Sequence, residues 1–150
     1  MYHALIRSQI RRAFDRVGAG DWPAVMPRMA DDVYHSFPGD NPVGGERHSR
    51  DALSRWFERL FRLFPGFSFD VRRVVSDGWP WSTWVAVEWT NSVTAADGES
   101  GENAGTTWMH VRWGRTTRIH EYLDSERVTD ACRRMAAAGI EEGAAAPIED

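Results

Sequence analysis

Glu121 is a candidate for acid/base chemistry. It lies in the stretch 119–124, where alternation puts Ile119, Glu121 and Leu123 on one face of a strand. If this face is turned towards an apolar cavity, the carboxyl group loses hydration and its pKa rises towards the range in which a general acid or base works near neutral pH. The other interpretation is a solvent-facing Glu121 paired with an arginine. The residues alone leave both interpretations open.

The histidines and the lone cysteine, Cys132, do not form a recognisable metal site. His110 and His120 lie on neighbouring predicted strands without a third ligand, whereas a structural zinc site takes four. The pair His120–Glu121 also lacks the second histidine and the helical setting of a zinc-protease motif. The sequence therefore predicts neither a metal nor a cofactor. It places Cys132 on the apolar side of the last helix, as a packed thiol.

Length, charge and composition limit the classes of protein to consider. The chain has 150 residues, 42% of them hydrophobic and 27% charged, which suits one globular domain. A net charge of −4 argues against a nucleic-acid partner, because phosphates are bound by concentrated basic surfaces. No apolar run reaches the roughly 18 residues of a membrane helix, and the first residues lack a signal-peptide core. We expect a soluble cytoplasmic protein that binds neither nucleic acid nor membrane.

Tryptophan is unusually frequent in this chain. There are eight tryptophans, and most of them follow residue 78, in the part of the chain predicted to form strands. Broad aromatic walls fit a domain built around an apolar cavity, and they fit equally a plain core or a subunit interface. Composition alone leaves these three uses open.

Hydrophobic periodicity predicts the elements that must position these residues. The clearest helix runs from a Ser49 cap to Pro65, with apolar residues at i, i+3, i+4, i+7, i+8 and i+11 from Leu53. From Phe67 onwards the period changes to two, which is typical of strands. The predicted strands span residues 33–37, 67–75, 81–93, 106–113 and 117–124, the other helices span 6–17, 23–29 and 126–135, and residues 39–48 form a loop.

The order of these elements predicts an α+β fold. Strands joined by short turns make an antiparallel or mixed sheet, and helices segregated to one face complete the domain. We expect a curved sheet wrapped around the helices, a cone-shaped α+β barrel with an apolar pocket at its open end. Residues 1–138 form this single domain, and the Ala/Gly-rich acidic segment 139–150 is expected to be frayed.

Three short signatures follow one another along the chain. They are Gly20–Trp22 followed by Asp31–Val33, Phe37–Gly39 leading through Gly44 and Gly45 to Ser49–Ala52, and Gly114–Arg115 leading to Ile119–Asp124. In this order and spacing they resemble the SnoaL-like branch of the nuclear transport factor two-like superfamily, over about residues 3–138. That superfamily includes ketosteroid isomerases, polyketide cyclases, limonene-epoxide hydrolases and dehydratases, so the fold alone does not name a reaction.

The resemblance implies that Glu121 faces the cavity. Epoxide hydrolases and cyclases keep an acidic residue three places before the aspartate that ends this strand, here Asp124. The Arg-x-Asp pair of the epoxide hydrolases falls on Trp89, Thr90 and Asn91, which supply neither a guanidinium nor a base. Epoxide hydrolysis is therefore disfavoured. Asn91 remains a candidate to orient a carbonyl or hydroxyl group, or it closes a strand end.

On the first strand, Tyr34 and Ser36 match pocket-lining positions of the same hydrolases, so the resemblance implies that both face the cavity. Tyr34 could then donate a hydrogen bond to a developing oxyanion, or it could be a core tyrosine. His35 would point away, but it stays a candidate because cyclases of this family use histidines beside their acid. The aspartate of the isomerases is absent, since Phe37 precedes Pro38.

The resulting hypothesis is a pocket for a small apolar carbonyl or hydroxyl compound, with cofactor-free isomerisation, cyclisation or dehydration by Glu121. A non-catalytic ligand-binding or dimerisation module of the same fold is the alternative. We expect a homodimer through the outer sheet face. That face carries Trp108, His110, Arg112 and Tyr122. The residues expected to line the pocket are Ser36, Trp56, Leu60, Trp89, Thr107, Met109, Ile119 and Leu123, beside the catalytic candidates Glu121, Tyr34, Asn91 and His35.

Overall fold

The computed structural model describes all residues from Met1 to Asp150 and contains one open six-stranded sheet. The strands are β1 (Met29–Phe37), β2 (Gly45–Arg47), β3 (Gly66–Trp79), β4 (Ser82–Thr94), β5 (Ser100–Arg112) and β6 (Arg115–Leu123). Their order across the sheet is β2-β1-β6-β5-β4-β3. β1 pairs with β6 in parallel, and the other pairings are antiparallel. The predicted α+β fold with a mixed sheet is confirmed.

Three α-helices accompany the sheet: α1 (Tyr2–Gly18), α2 (Arg50–Leu63) and α3 (Ser125–Ala137). α1 packs along β3, and α2 packs against β1. The short second helix of the sequence prediction is instead two 3₁₀ turns, Trp22–Ala24 and Met26–Arg28. Pro23 fits the first turn of a helix, but Pro27 would lie inside a continuous helix, where it lacks the N–H that bonds to the fourth residue before it, so no continuous helix forms. No helix is both long and apolar enough to cross a membrane.

Side-chain caps set where α2 and α3 begin. The Ser49 hydroxyl accepts a hydrogen bond from the Ala52 N–H at 3.1 Å, as predicted for α2. α3 is capped by Asp124, whose carboxylate accepts a hydrogen bond from the Arg127 N–H at 3.4 Å. Asp124 therefore marks the junction between β6 and α3, and it fixes the end of the strand that carries Glu121.

Several strand segments were not expected from the sequence, among them β2 and the start of β5. β2 lies within the predicted loop 39–48, and β5 begins at Ser100 instead of residue 106. Both segments consist largely of glycine, charged and polar residues, which have little intrinsic preference for strands. Each is held by its neighbour: β2 pairs with the end of β1, and the start of β5 pairs with β4. Tertiary pairing overrides weak local propensity in both places.

The tail segment, residues 139–150, is ordered rather than frayed, which corrects the prediction from composition. Glu142 in its 3₁₀ turn forms ion pairs with Arg59 and Arg62 of α2, at 3.1 and 2.7 Å. Arg59 also donates a hydrogen bond to the Ala146 carbonyl, and the Ile148 side chain is buried. The arginine face of α2 is therefore the surface on which the tail segment packs.

Two hydrophobic clusters make up the core. The larger joins α2 and α3 to β1, and it includes Val33, Trp56 and Met135. The smaller places α1 against the middle of β3, β4 and β5, with Ile10 and Val87 among its buried side chains. The predicted cavity is lined by residues of both clusters, among them Trp56 of the larger and Trp89 of the smaller.

Cys132 gives a direct test of the packing of α3. Its side chain is 1% exposed, and burial raises the pKa of its thiol to about 11. A thiol that is both covered and protonated reacts slowly, because the thiolate is the nucleophile. We expect an aromatic disulfide reagent at mildly alkaline pH to label the native protein about 100-fold more slowly than the chain unfolded in guanidinium. Rapid stoichiometric labelling of the native protein would contradict this packing of α3.

Candidate functional site

A cavity of about 140 Å³ lies between the helices and the inner face of the sheet. Eighteen of its 22 lining residues are hydrophobic. The polar ones are Asn91, Asn103, Thr107 and Glu121. An apolar cavity of roughly this volume accommodates a group the size of one benzene ring. A few polar groups in an otherwise apolar wall are the usual arrangement of a site that orients a small molecule.

The structure places most of the predicted pocket residues along this cavity. They are Trp56, Leu60, Trp89, Thr107, Met109, Ile119 and Leu123. The candidates Glu121 and Asn91 lie there as well. The alternation of β6 accounts for the row Ile119, Glu121 and Leu123, since successive side chains of a strand point to opposite faces.

The structure reverses the orientation expected for β1. Tyr34 and Ser36 lie on the outer face, where the Tyr34 ring is 5.1 Å from the ring of His120 and Ser36 Oγ is 3.0 Å from its Nδ1. His35 is only 1% exposed and lies on the inner face, paired in register with Ile119. Tyr34 and Ser36 therefore do not line the cavity, and the oxyanion-donor role expected for Tyr34 has no support here.

Glu121 presents its carboxyl group at the cavity wall. Its side chain keeps 17% exposure, and its neighbours along β6 are apolar. Burial raises the pKa of this carboxyl group from its usual 4.5 to about 7, and the hydrogen bond from Thr107 opposes that rise only in part. No arginine pairs with it. The solvent-facing interpretation of Glu121 is therefore wrong, and the carboxyl group is half ionised near neutral pH.

A chain of two hydrogen bonds orients the Glu121 carboxyl group. Trp89 Nε1 donates to Thr107 Oγ1 at 2.9 Å, and Thr107 Oγ1 donates to Glu121 Oε2 at 2.7 Å. An indole N–H can only donate, so Thr107 Oγ1 accepts from Trp89 and has its own proton available for Glu121. In the carboxylate form, Oε2 is therefore the acceptor of the Thr107 hydroxyl. Oε1 is the carboxyl oxygen that Thr107 leaves free.

Gly105, which is not among the predicted site residues, makes this arrangement possible. It lies opposite Trp89 in the pairing of β4 with β5. A Cβ atom at Gly105 would come within 2.9 Å of the Trp89 indole and would clash with the Tyr122 carbonyl. The missing side chain lets the indole lie across β5 and reach Thr107. A glycine inside a strand often marks such a close approach, but the predicted strand began only at residue 106.

Asn91 supplies an amide group to the same cavity. Its side chain is 8% exposed, and its Oδ1 accepts a hydrogen bond from the Asn103 N–H at 3.0 Å. Because Oδ1 is occupied, Nδ2 is the atom of Asn91 that can donate to a ligand. An amide donor can hold a carbonyl or hydroxyl oxygen without exchanging protons itself. This placement fits the orienting role that the sequence suggested for Asn91.

His35 lies behind the carboxyl group, with its Nε2 3.9 Å from Glu121 Oε1. Burial lowers the pKa of His35 well below 6.5, and the charges of Arg47 and His120 lower it further. Arg47 Nη1 is 2.7 Å from His35 Nδ1. Arg47 was not among the predicted site residues because it lies in the predicted loop, where a buried guanidinium leaves no local pattern.

No three His, Cys, Asp or Glu side chains are grouped as ligands for a metal ion. The polar groups of the cavity are one titratable carboxyl group, one hydroxyl group that is already engaged, and two amides. A carboxyl group with a pKa near 7 can both take and return a proton at neutral pH. The arrangement is therefore suited to moving a proton on a small, mostly apolar molecule.

Several solved structures share this fold at low sequence identity. PrhC from Penicillium brasilianum is 15% identical with a TM-score of 0.79, and the alignment covers 95% of each chain. An NTF2-like protein of unknown function from Burkholderia pseudomallei is 18% identical with a TM-score of 0.74, covering 83% of this chain and 95% of its own. TerC, described as co-crystallised with polyporic acid, is 18% identical with a TM-score of 0.70, covering 81% and 93%.

These likenesses show the NTF2-like fold, an α+β cone with an open mixed sheet. A search of the curated proteins finds no significant match to the sequence. The model of the SnoaL-like domain matches residues 10–119, well over half of the chain. This confirms the resemblance drawn from the three sequence signatures, and the chain belongs to the SnoaL-like domain family.

Proposed function

We propose that this protein binds a small, largely apolar carbonyl or hydroxyl compound in the cavity and moves a proton on it without a cofactor. Isomerisation, cyclisation and dehydration are the reactions that suit such a site. The observation that carries the proposal is the Glu121 carboxyl group, which titrates near neutral pH at the wall of an apolar cavity. TerC, described as co-crystallised with polyporic acid, is a fold neighbour with a small organic molecule and adds support.

The geometry supports a proton shuttle on one carboxyl group. As a carboxylate, Glu121 removes a proton from the carbon next to a carbonyl group, and the electron pair of the C–H bond passes into an enolate. The protonated carboxyl group then returns the proton to another carbon, which completes an isomerisation with no net change in protons. The Asn91 amide donates to the enolate oxygen, and the Thr107 hydroxyl holds Oε2 in place throughout.

A one-ring ketone provides the first activity test. We expect the protein to accelerate the conversion of 3-cyclohexenone to 2-cyclohexenone over buffer, followed by proton NMR. The rate should rise as the pH passes through about 7, because the carboxylate form of Glu121 starts the reaction. Glu121→Gln should lose at least about 100-fold of the acceleration, the usual contribution of a general base. Glu102→Gln, which changes an exposed carboxyl group on β5, is the matched control and should retain the full rate.

The same experiment separates catalysis from simple binding. Suppose 3-cyclohexenone shifts the NMR signals of Trp89 and Met109, which line the cavity, but reacts no faster than in buffer. The non-catalytic ligand-binding module would then replace the enzyme proposal. Activity that survives in Glu121→Gln would remove Glu121 from the proposed chemistry.

Stability against pH tests the burial of Glu121 independently of any ligand. Because its folded-state pKa is raised, the folded protein holds a proton that the unfolded chain has released between about pH 4.5 and 7. Glu121 therefore contributes to a loss of stability as the pH rises through this window. Glu121→Gln keeps the shape and the acceptor for Thr107. It should be more stable than the parent by up to about 3 kcal/mol near pH 8, and equal to it near pH 4.5, in urea unfolding.

If the stability of Glu121→Gln and of the parent changed in parallel between about pH 4.5 and 8, the Glu121 carboxyl group would be exposed to solvent instead of buried. Glu102→Gln again provides the control, since its stability curve should run parallel to that of the parent. A variant less stable than the parent at every pH would mean that Glu121 has a purely structural role.

A second copy of the chain is the partner that we propose for the outer face of the sheet. Trp84, Trp108 and Tyr122 are 40%, 44% and 58% exposed there, and the Trp84 ring is 4.6 Å from that of His110. Monomeric proteins seldom leave such a continuous aromatic patch in water. A twofold dimer would bury the patch against its own copy.

Sedimentation at tens of micromolar tests this assembly. We expect a dimer mass for the parent and a monomer mass for Trp108→Glu, because a buried unpaired carboxylate on each copy opposes association. Trp79→Glu is the matched control, since this exposed tryptophan lies at the end of β3, away from Trp108. It should remain a dimer. A monomeric parent would overturn the proposed assembly.

A further inference from the structure

Arg47 is a buried charge that the proposed chemistry does not explain. Its side chain is 0% exposed, and its Nε and Nη2 donate to the carbonyls of Ile148 and Gly44, at 3.2 and 2.6 Å. Its third contact is His35 Nδ1 at 2.7 Å. No carboxylate forms a salt bridge with it. A buried guanidinium without a carboxylate is costly, so its position needs a reason beyond packing.

The contact with Arg47 determines which nitrogen of His35 carries the proton. A guanidinium has donors but no acceptor, so His35 Nδ1 must accept the hydrogen bond and cannot hold a proton. A neutral imidazole has one proton, which therefore resides on Nε2. The burial of the ring opposes a second proton, and so does the positive charge of Arg47. His35 is thus a neutral ring with its N–H directed at Glu121.

This tautomer decides where the proton of Glu121 can go. Glu121 Oε2 accepts from Thr107, and Oε1 lies 3.9 Å from His35 Nε2. Because Nε2 already bears a hydrogen, it cannot accept a proton from the carboxyl group. Glu121 can therefore exchange its proton only with a molecule in the cavity.

We propose that Arg47 is a positioning residue, which holds His35 as a neutral Nε2–H donor and leaves Glu121 as the only group of the site that takes up and releases protons. This inference rests on the proposed proton-transfer function. Without Arg47, the ring would be free to accept a proton from Glu121.

The surroundings of Arg47 preserve its charge. Burial lowers the pKa of Arg47 to about 10, so the guanidinium stays protonated at neutral pH. Asp150, Glu149 and Glu46 favour that charge from a distance, whereas Arg59 opposes it. The Ile148 carbonyl belongs to the tail segment, so the packing of residues 139–150 completes the shell around Arg47. The tail segment is thereby part of the support of the site.

Nitrogen-15 NMR of the labelled full chain tests the inference without any ligand. In the parent we expect the His35 signals of an unprotonated Nδ1 and a protonated Nε2, unchanged from about pH 5 to 8. In Arg47→Met, which removes the donor and the charge, a proton at Nδ1 should appear as a second tautomer or as the cation. Arg47→Lys keeps a charged donor and should restore the parent signals. Arg62→Met, an arginine that binds the tail segment but not His35, is the matched control.

Three outcomes would overturn the inference. They are a parent His35 with its proton on Nδ1, a parent ring that becomes cationic within this pH range, and an Arg47→Met variant with the parent signals. If Arg47→Met does not fold, the parent spectrum and Arg47→Lys decide the question. A failure here is distinct from a failure of the proposed function, because the ketone reaction of Glu121→Gln is measured separately.

Discussion

The buried guanidinium of Arg47 is the contact through which four separate parts of the chain meet. It binds the loop at Gly44, the tail segment at Ile148 and β1 at His35, and it lies 5.6 Å from the ring of Trp56 on α2. Each of those partners contacts one side of the guanidinium, which is not exposed to water. The loop, the tail segment and α2 must therefore pack onto β1 cooperatively. If one of them were displaced, the buried guanidinium or a carbonyl group beside it would be left unpaired.

The burial of the Glu121 carboxyl group in the candidate site is a second energetic cost in the same region. Glu121 is kept in an apolar wall where its ionisation is suppressed. Stability sacrificed at one titratable residue, with neighbours that orient it, is the pattern expected where a protein uses that residue. Thr107 donates to the carboxyl group and is itself oriented by Trp89, and His35 Nε2 lies 3.9 Å from Oε1.

Much of the fold could be predicted because its signals are local. Three local signals predicted the positions of α2 and the start of the sheet correctly. They are the helical repeat from Leu53, the Ser49 cap and the change to a period of two at Phe67. The errors arose where the pattern is weak. β2 and the start of β5 form through pairing with neighbours, and the tail segment is ordered by the arginines of α2 rather than by its own composition.

For the site, the sequence by itself determined that Glu121 shares a strand face with two apolar residues, since alternation along β6 is a local property. It could not determine the orientation of β1, because both Tyr34 and His35 are plausible inward residues and only the parallel register with β6 selects His35. Arg47 and Gly105 were likewise invisible, since their importance depends on partners distant in sequence. Tertiary structure alone decided which groups surround the carboxyl group, because a buried charge is satisfied by neighbours in space.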